Sequence, residues 1–387
     1  MVCRRLEQMT SFIVMDVLER AQEMERAGES VIHLEVGEPD FPTPAPIIDA
    51  AFAAARAGFT KYSPNAGLAP LRRQIAERAG RHYRSAPPTA DQIVVTTGAI
   101  GALYSALMAV IDPGDDVLIP DPGWPNYEAI VHLAGATPVR YGLEATRGFL
   151  PDPAEIAGLI TARTKALLIN TPGNPTGAVF PPALMAEIGK IVRRAGIYLV
   201  SDEIYEDIVF EGEHISAAAH APPDRVFIVS GFSKSYAMTG WRLGWLICPP
   251  NLSSVAASLQ EPVTSCASTI AQKAGEAALA GDQESVVELC TIFKRRRDIV
   301  VDVFGNTGLL PATPQGAFYA LIDIGATGMG SVEFAKDLLT ACDTAVVPGV
   351  TFGPSCDRYV RVAFTASDEL LREGLRRLRE RIQSHRR

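Results

Sequence analysis

One lysine of this chain stands in a setting that would suit it to covalent chemistry. Lys234 comes just after an apolar stretch, residues 226–230, that is predicted to be a strand, and small hydroxyl and apolar residues flank it. The other six lysines lie among charged residues on predicted helices and loop edges. Burial at the end of a strand would lower the pKa of the Lys234 amine, leaving it free to act as a base or to form a Schiff base with an aldehyde.

Three further polar segments also follow predicted strands, so they are expected at the same edge of a sheet. Asp202 could bind a protonated ring nitrogen there, and Tyr205 follows closely enough to donate a hydrogen bond to a ring oxygen. Asn174 lies in a turn whose prolines and glycines would hold its amide in one orientation. Residues 96–101 join a strand to a helix, and the free N–H groups of such a helix start bind anions. Taken singly, a helix N-cap or a tight turn would also explain these features.

The elements expected to position these segments are those of an α/β fold. Between residues 47 and 280 apolar strands alternate with amphipathic helices, which predicts a mostly parallel sheet sandwiched by helices. The predicted helices include residues 99–111, 183–195 and 252–261, and the predicted strands are residues 93–96, 116–119, 137–141, 166–170, 198–201, 226–230 and 244–247.

The final third of the chain has a different pattern, typical of a small α+β unit. Its predicted strands are residues 317–324, 345–347 and 359–365, and its predicted helices are residues 332–341 and 368–383. The N-terminal part contributes an amphipathic helix at 10–27, a short strand at 31–36 and a proline-rich loop at 37–46. A chain of 387 residues exceeds what one core usually holds. We therefore expect a large domain of residues 46–280 and a smaller α+β domain of residues 1–45 plus 281–387.

Composition excludes several classes of protein. The net charge of −8 disfavours a nucleic-acid partner, and no apolar run approaches the roughly 20 residues that a membrane span needs. Two basic clusters, residues 294–297 and 372–387, are predicted to be solvated helix faces. The six cysteines form no C-x-x-C pair and the histidines show no metal-binding spacing, so we expect no metal, no disulfide framework and a reducing cytoplasmic location.

Several ordered motifs make the sequence similar to a known family from end to end. It resembles the fold type I pyridoxal-phosphate aminotransferases of class I/II, which include the bacterial aspartate aminotransferases. The motifs are Gly37-Glu-Pro-Asp-Phe-Pro-Thr-Pro44, Lys61-Tyr-Ser-Pro-Asn-Ala-Gly67, Asn174-Pro-Thr-Gly177, Ser201-Asp-Glu-Ile-Tyr205, Ser233-Lys234 with Arg242, and Tyr359-Val-Arg361. The resemblance implies pyridoxal 5′-phosphate (PLP) as cofactor and a ping-pong transfer of an amino group between an L-amino acid and a 2-oxo acid, with 2-oxoglutarate as an expected acceptor.

The resemblance also implies roles for the residues that match. Lys234 would form the Schiff base and shuttle the proton between the substrate α-carbon and the cofactor. Asp202 would pair with the pyridine nitrogen, and Asn174 and Tyr205 would bind the O3′ oxygen. Trp124 would stack on the cofactor ring and contact the substrate.

Phosphate and substrate carboxylate would be bound by a second set of residues. The phosphate contacts implied by the resemblance come from Gly98, Ala99, Ile100, Ser233 and Arg242, with Tyr62 reaching in from the neighbouring subunit of a homodimer. Arg361 would grip the α-carboxylate as a bidentate pair, helped by the Gly37 backbone and Asn174.

One position departs from the family pattern, and some alternatives remain open. Gly231 stands where many members carry serine, so one phosphate contact is expected to be lost, or to be replaced by Ser230 or Thr97.

The rival functions are a PLP-dependent lyase or decarboxylase of the same fold, a PLP-sensing regulatory domain and a nicotinamide dehydrogenase. The regulator would need a DNA-binding domain ahead of a fold that is expected to begin by about residue 10, and the dehydrogenase would need a glycine fingerprint. The preferred amino donor stays open among aspartate, aromatic and other neutral amino acids.

Overall fold

A computed structural model describes residues 13–83 and 87–385 of the chain. Its first elements are helix α1 (Ile13–Arg26) and the short strand β1 (Ile32–His33). The predicted N-terminal helix is thus confirmed from residue 13 onward, and its first three predicted residues lie outside the described part. The predicted strand at 31–36 is shorter than expected.

The central sheet has seven strands and lies between two layers of helices. The strands are β2 (Ile93–Thr97), β3 (Asp116–Asp121), β4 (Thr137–Gly142), β5 (Thr164–Asn170), β6 (Tyr198–Asp202), β7 (Val226–Gly231) and β8 (Leu243–Ile247). Their order in the sheet is β2-β8-β7-β6-β5-β3-β4. Only β8 runs antiparallel to its neighbours among these strands, so the predicted mostly parallel sheet is confirmed.

Helices cover both faces of this sheet. They are α2 (Ala45–Arg56), α3 (Ala69–Gly80), α4 (Gly98–Met108), α5 (Asn126–Leu133), α6 (Pro153–Leu159), α7 (Pro182–Ala195), α8 (Ser253–Val263) and α9 (Thr269–Ala280). Alternate side chains of β7 enter two separate cores, Val226 and Ile228 one, Phe227 and Val229 the other. Because successive strand residues point to opposite faces, two cores require a sheet that is buried on both sides.

The remainder of the chain forms a smaller α+β unit. Its elements are α10 (Glu284–Phe304), β9 (Tyr319–Asp323), α11 (Ser331–Cys342), β10 (Thr344–Ala345), β11 (Val347–Pro348), β12 (Tyr359–Ala363) and α12 (Asp368–Ser384). Strands β11, β12 and β9 form an antiparallel sheet, and β10 pairs in parallel with β1. Helix α12 begins after its cap Ser367 and buries Leu371, Leu375, Leu378 and Ile382 at helical spacing.

Two predictions for this unit are wrong in detail. The single strand expected at 345–347 is two short strands, because β10 pairs with β1 whereas β11 pairs with β12. The basic cluster in α10 is a solvated face only in part: Lys294 and Arg295 are exposed, whereas Arg296 and Arg297 are 4% and 3% exposed. Arg296 pairs with Asp40 at 2.7 Å and Arg297 donates to the Pro314 carbonyl at 2.9 Å, so their charges are satisfied inside the fold.

Across residues 13–83 and 87–385, no helix has both the length and the apolar character needed to cross a bilayer.

Candidate functional site

A cleft of about 400 Å³ opens where β5, β6 and β7 end and α4 begins, and β9 and β12 close its other side. It brings together all but two of the residues singled out from the sequence. Those that line it are Gly37, Ala99, Ile100, Trp124, Asn174, Asp202, Tyr205, Ser233, Lys234, Arg242 and Arg361. Of the other two, Gly98 begins α4 beside the cleft, whereas Tyr62 lies on the surface and is 89% exposed.

Lys234 lies in the turn that follows β7, and its amine is directed into the cleft. Its Nζ donates a hydrogen bond to the Gly37 carbonyl at 2.7 Å. Burial lowers the pKa of Lys234 to about 8, and the nearby charges of Arg361 and Arg242 act in the same direction, while Glu38 opposes them. An amine with this pKa is a free base in a useful fraction of molecules near neutral pH.

Asp202 ends β6, the strand next to β7, and is 4% exposed. Its carboxylate accepts hydrogen bonds from the Tyr127 hydroxyl at 2.8 Å and from the Ile204 backbone N–H at 3.2 Å. Burial raises the pKa of Asp202 to about 6, although these donors and the charge of Lys234 pull it down. A cationic ring nitrogen placed beside this carboxylate would restore its ordinary ionised form.

Tyr127 was not found from the sequence. It lies in the first turn of α5, three residues after Trp124. The two rings form a T-shaped, edge-to-face pair with centroids 5.6 Å apart. That helical spacing was the only available signal, since its partner Asp202 is 75 residues away in the chain.

Tyr205 lies in a tight turn at residues 204–207. Its hydroxyl lies 2.9 Å from that of Tyr319, at the start of β9. Burial raises the pKa of Tyr205 well above its usual value, and the neighbouring Tyr319 adds to this. Both phenols are therefore neutral hydrogen-bond donors at physiological pH.

Arg361 projects from the middle of β12 into the floor of the cleft. Its guanidinium stacks 4.5 Å from the Tyr319 ring centroid and 5.1 Å from that of Phe352. It donates to the Asn174 side-chain oxygen at 3.4 Å and to the Glu35 carbonyl, yet its Nε has no hydrogen-bond partner within residues 13–83 and 87–385. Burial lowers the pKa of Arg361. A buried guanidinium with an unused N–H is a binding group for a carboxylate.

The start of α4 forms the anion-binding end of the cleft. Gly98 has φ +70°, and a β-carbon at this position would lie 2.5 Å from Nη2 of Arg242. The absence of a side chain therefore lets the guanidinium reach the N-terminus of the helix. Arg242 is held there by a 2.8 Å hydrogen bond to the Thr239 carbonyl. A helix N-terminus combined with a guanidinium favours a phosphate group.

Gly231 packs closely against the neighbouring strand. A β-carbon at Gly231 would lie 3.0 Å from the Cα of Gly244 and 3.1 Å from the Leu243 carbonyl oxygen, so a serine there would require these neighbours to shift by a few tenths of an ångström. Ser230, expected as one replacement, turns away from the cleft and donates to Glu206 at 3.1 Å. Thr97, the other, is not among the residues that line the cleft.

Residues 12–17 and 261–265 were also candidates for recognising the substrate side chain. None of those that the structure describes lines the cleft. Val17 packs with Ala21 and Leu339 in a separate small core, and Phe12 lies outside the described residues. Residues 261–265 do not line the cleft of their own chain. Apart from Tyr127, the cleft residues that the sequence did not reveal include Glu35, Asn170, Thr239 and Phe352, which carry no distinctive local spacing.

Comparison with known proteins gives concordant similarities in sequence and structure. The model of the family described as aminotransferase class I and II matches residues 29–378. The aspartate/prephenate aminotransferase of Thermus thermophilus is 38% identical over 377 residues, covering 97% of each chain. The arginine–pyruvate transaminase of Pseudomonas aeruginosa is 36% identical, covering 94% of this chain and 93% of the relative. The solved structure of the Thermus thermophilus aspartate aminotransferase with maleate has a TM-score of 0.92 at 37% identity and covers 98% of this chain and 99% of that one.

Proposed function

This chain belongs to the aminotransferase class I and II family and is a pyridoxal-phosphate-dependent transaminase, and from that premise we propose which residues carry its reaction. Its substrates are amino acids and 2-oxo acids. When bound, PLP supplies an electron sink that stabilises negative charge at the substrate α-carbon. The binding, orientation and proton transfer that the reaction requires are supplied by the protein.

The polar groups of the cleft fit this cofactor. Lys234 offers an amine of lowered pKa for the aldehyde, and the buried Asp202 carboxylate offers a partner for the ring nitrogen. Asn174 and Tyr205 are proposed to bind the O3′ oxygen, and Trp124 to stack on the ring. The phosphate is assigned to the start of α4 and its neighbours, Gly98, Ala99, Ile100, Ser233 and Arg242.

In the proposed reaction Arg361 binds the substrate α-carboxylate, assisted by Asn174 and the Gly37 backbone. The Lys234 amine removes the α-proton and delivers it to C4′ of the cofactor. Its 2.7 Å hydrogen bond to the Gly37 carbonyl supports placing the amine next to the proposed carboxylate site. Positioned proton transfer of this kind is worth roughly 10²- to 10⁴-fold in rate.

The observation that carries this proposal is a buried amine of lowered pKa facing a buried carboxylate across a cleft that also holds an incompletely bonded arginine. The test is borohydride reduction of the purified holoenzyme, followed by peptide mass spectrometry. A pyridoxyl group on Lys234 is expected, and its absence there would overturn the assignment. A lyase or decarboxylase is not favoured, and release of ammonia or carbon dioxide in place of matched oxo-acid and amino-acid products would be needed to revive it.

We further propose a homodimer with shared active sites, in which the partner subunit's Tyr62 contacts the phosphate. The support is that Tyr62 is 89% exposed beside other exposed apolar side chains, including Phe59 and Val263. Hydrogen bonds join its segment to the start of α9, for example Thr269 Oγ1 to the Lys61 carbonyl at 2.7 Å. A surface of this kind is expected to be covered.

Mixed dimers test the shared site. Dimers that combine a Tyr62→Ala subunit with a Lys234→Ala subunit would contain one intact site, built from Lys234 of the first and Tyr62 of the second. Activity is therefore expected to exceed that of either homodimer. No gain on mixing, in a preparation shown to contain mixed dimers, would contradict the proposal.

For the acceptor we propose 2-oxoglutarate, whose C1 carboxylate would occupy the Arg361 site. The names of two similar proteins state different substrates, aspartate with prephenate and arginine with pyruvate, so family membership leaves the donor unassigned. A donor panel that includes aspartate, arginine, aromatic and neutral amino acids is the direct test, read from oxo-acid formation. No transfer to 2-oxoglutarate from any donor that transfers to pyruvate would overturn this choice of acceptor.

The domain division and the location of the enzyme are also proposals. Residues 46–280, which include the seven-stranded sheet, are proposed as the large cofactor-binding domain, and residues 1–45 plus 281–387 as the small one. The pairing of β1 with β10 supports joining the N-terminal segment to the small domain. The free state of Cys248, Cys266, Cys290, Cys342 and Cys356 supports the cytoplasm.

A further inference from the structure

A buried charged network lies behind the wall of the cleft that carries Asp202 and Tyr205. We call Arg78, Glu203, Glu206, Asp207 and His214 the rear cluster. Glu203 follows Asp202 directly in the chain, and because successive residues at the end of an extended strand point to opposite sides, its side chain points away from the cleft. Glu203 is 1% exposed and lies with Arg78 and Tyr83 around a separate small cavity. Asp202 therefore faces the cleft, whereas the next residue, Glu203, makes its contacts on the side away from the cleft.

The Glu203 carboxylate uses both oxygens. Oε1 accepts hydrogen bonds from Ser201 Oγ at 2.8 Å, Ser216 Oγ at 3.1 Å and the Ala217 N–H at 2.9 Å. Oε2 lies 2.9 Å from Nε2 of His214, whose side chain is 3% exposed. A carboxylate bonded in this way cannot rotate without breaking contacts to β6 and to the loop that follows.

The rest of the turn is gripped from the same side. Glu206 accepts from Ser230 Oγ at 3.1 Å, on the strand that leads to Lys234. Arg78 on α3 donates to Asp207 at 2.6 Å and lies 3.5 Å from Glu206. The ligand atoms of Glu203, Glu206 and His214 lie within 4.8 Å of one another, but Arg78 and the hydrogen-bond donors already occupy the carboxylates. The cluster is therefore an ion-pair network and not a cation site.

We propose that the Glu203–His214 pair is a positioning element of the transaminase: it fixes the backbone of the Asp202–Tyr205 turn and balances the charge of Glu203 next to Asp202. The pair touches neither substrate nor the reacting atoms. The proposal rests on the assignment of Asp202 to the cofactor, and it adds a reason why that carboxylate is held at one place and one charge.

Charge balance is the electrostatic part of this role. The rear cluster sets two cations, Arg78 and His214, against three carboxylates, and Glu203 is adjacent to Asp202. Despite burial, His214 and the hydrogen bonds lower the pKa of Glu203, and Glu203, Glu206 and Asp207 raise the pKa of His214. The Glu203 charge itself tends to raise the pKa of Asp202. Neutralising His214 would leave that effect unopposed, whereas neutralising Glu203 would remove it.

Other ionisable groups surround the two carboxylates and stay unchanged in the test. Tyr127 from α5, Tyr205 and Lys234 face Asp202. Glu206 and Asp207 of the turn lie near His214, and the His82 ring packs edge to face with its centroid 6.0 Å from that of His214. Tyr83 lies close enough to Glu203 to interact with its charge.

The test compares His214→Gln, Glu203→Gln and the double variant, with PLP bound. The cofactor absorbance is titrated with pH, the PLP dissociation constant is measured by titration of the cofactor-free protein, and kcat and KM are measured separately. The pH midpoint of the change in cofactor absorbance on acidification is expected to be higher than wild type in His214→Gln and lower in Glu203→Gln. In the double variant the midpoint is expected to return towards wild type. Each single variant is expected to weaken PLP binding by about tenfold, because the Asp202–Tyr205 turn loses one of the charged hydrogen bonds that hold it in place.

Matched controls separate this role from simple packing. Glu155→Gln removes a carboxylate that accepts from the Gly142 N–H at 2.9 Å and does not line the cleft, so only the unfolding midpoint is expected to fall. Ser216→Ala removes one donor but keeps both charges, so the absorbance titration is expected to stay in place. Shifts in the same direction for both single variants, or none in either, would overturn the proposal while leaving the role of Lys234 intact.

A measurement on the unmodified enzyme guards against variants that fail to fold. NMR of labelled histidine in the holoenzyme is expected to show that His214 stays an imidazolium above the ordinary histidine pKa of about 6.5, because Glu203, Glu206 and Asp207 raise its pKa. A neutral His214 ring at pH 7 would overturn the proposal.

Discussion

The cleft and the rear cluster both bury charged side chains, but the net pKa shifts in the two regions run in opposite directions because their partners differ. In the cleft, burial lowers the pKa of Lys234 and of Arg361 and raises that of Asp202, so each group is moved towards its neutral form. In the rear cluster the pKa of Glu203 is lowered and that of His214 is raised, so both are held in their charged forms. Glu206 is the exception there, because burial raises its pKa in spite of Arg78.

The difference lies in the partners available to each group. Glu203 receives four hydrogen bonds from the protein, whereas the Nε of Arg361 receives no acceptor among the described residues. A buried charge without a partner is costly unless a ligand completes it, while a paired one can serve as scaffold. The unused N–H of Arg361 lies in the cleft, where a ligand can reach it, whereas the fully bonded Glu203 carboxylate serves as scaffold. Within the rear cluster, Nε of Arg78 and Nδ1 of His214 also have no partner among the described residues.

The largest effect is expected from removing the amine of the cleft. Lys234→Ala should lower kcat by at least roughly 10²- to 10⁴-fold, because positioned acid–base catalysis alone contributes that much. Turnover is measured as oxo-acid product with saturating PLP. Lys190→Ala on the surface of α7 is the control and should retain wild-type activity. Turnover within tenfold of wild type in Lys234→Ala would remove the basis for contrasting the two regions.

The cost of burying the same amine should be visible in stability. In the cofactor-free protein the pKa of Lys234 is about 8, below the ordinary 10.5, so the unfolded chain binds more protons between these pH values. Stability of the wild type should therefore rise with pH across this window. Lys234→Met should be more stable by up to roughly 3 kcal/mol at pH 7, at about 1.4 kcal/mol per pKa unit, with the advantage vanishing near pH 10.5.

Urea unfolding of both proteins from pH 7 to 10.5 measures this difference. Lys190→Met serves as the control for replacing an exposed lysine by methionine. A constant difference between wild type and Lys234→Met across the range would show that the Lys234 amine is not desolvated.

The incompletely bonded arginine should matter mainly for substrate binding. Arg361→Ala should raise KM for the amino donor by about 10- to 100-fold, as expected when charged hydrogen bonds of about 1.5 to 3 kcal/mol are lost, with a smaller change in kcat. Arg358→Ala is a matched control, since Arg358 is near Arg361 in sequence but pairs with Asp323 away from the cleft. An unchanged KM would transfer the carboxylate role to another group.

The smallest effect should come from the rear side. Ser230→Ala removes one hydrogen bond to Glu206 and should lower the free energy of unfolding by about 1 kcal/mol without changing the PLP dissociation constant. Ser233→Ala, whose side chain lines the cleft, should instead weaken PLP binding. Chemical denaturation and PLP titration distinguish the two variants. Weaker PLP binding in Ser230→Ala would mean that this hydroxyl reaches the phosphate, and the separation of front from rear would be less sharp than drawn here.

Much of the fold was predictable because its signals are local. The strands of the large sheet are apolar runs bounded by turns, and the positions of β5, β6 and β7 agree with expectation to within two residues. The short strands β10 and β11 were merged, since their separate partners are distant in the chain. Burial of Arg296 was not predictable either, because the carboxylate of Asp40 that satisfies it lies 256 residues away.

By itself the sequence determined which chemical groups this transaminase brings to its reaction: an amine after β7, a carboxylate at the end of β6, an arginine in β12 and a glycine-started helix for an anion. The amine, the carboxylate and the helix start follow from residue type and from short spacings along the chain, whereas the arginine follows from the resemblance to the family. Only the tertiary structure decided which of these groups are left without partners and which are completed from behind, because pKa and hydrogen bonding depend on burial and on contacts between residues far apart in sequence. The hydroxyl of Tyr127 on Asp202 and the imidazole of His214 on Glu203 are such contacts.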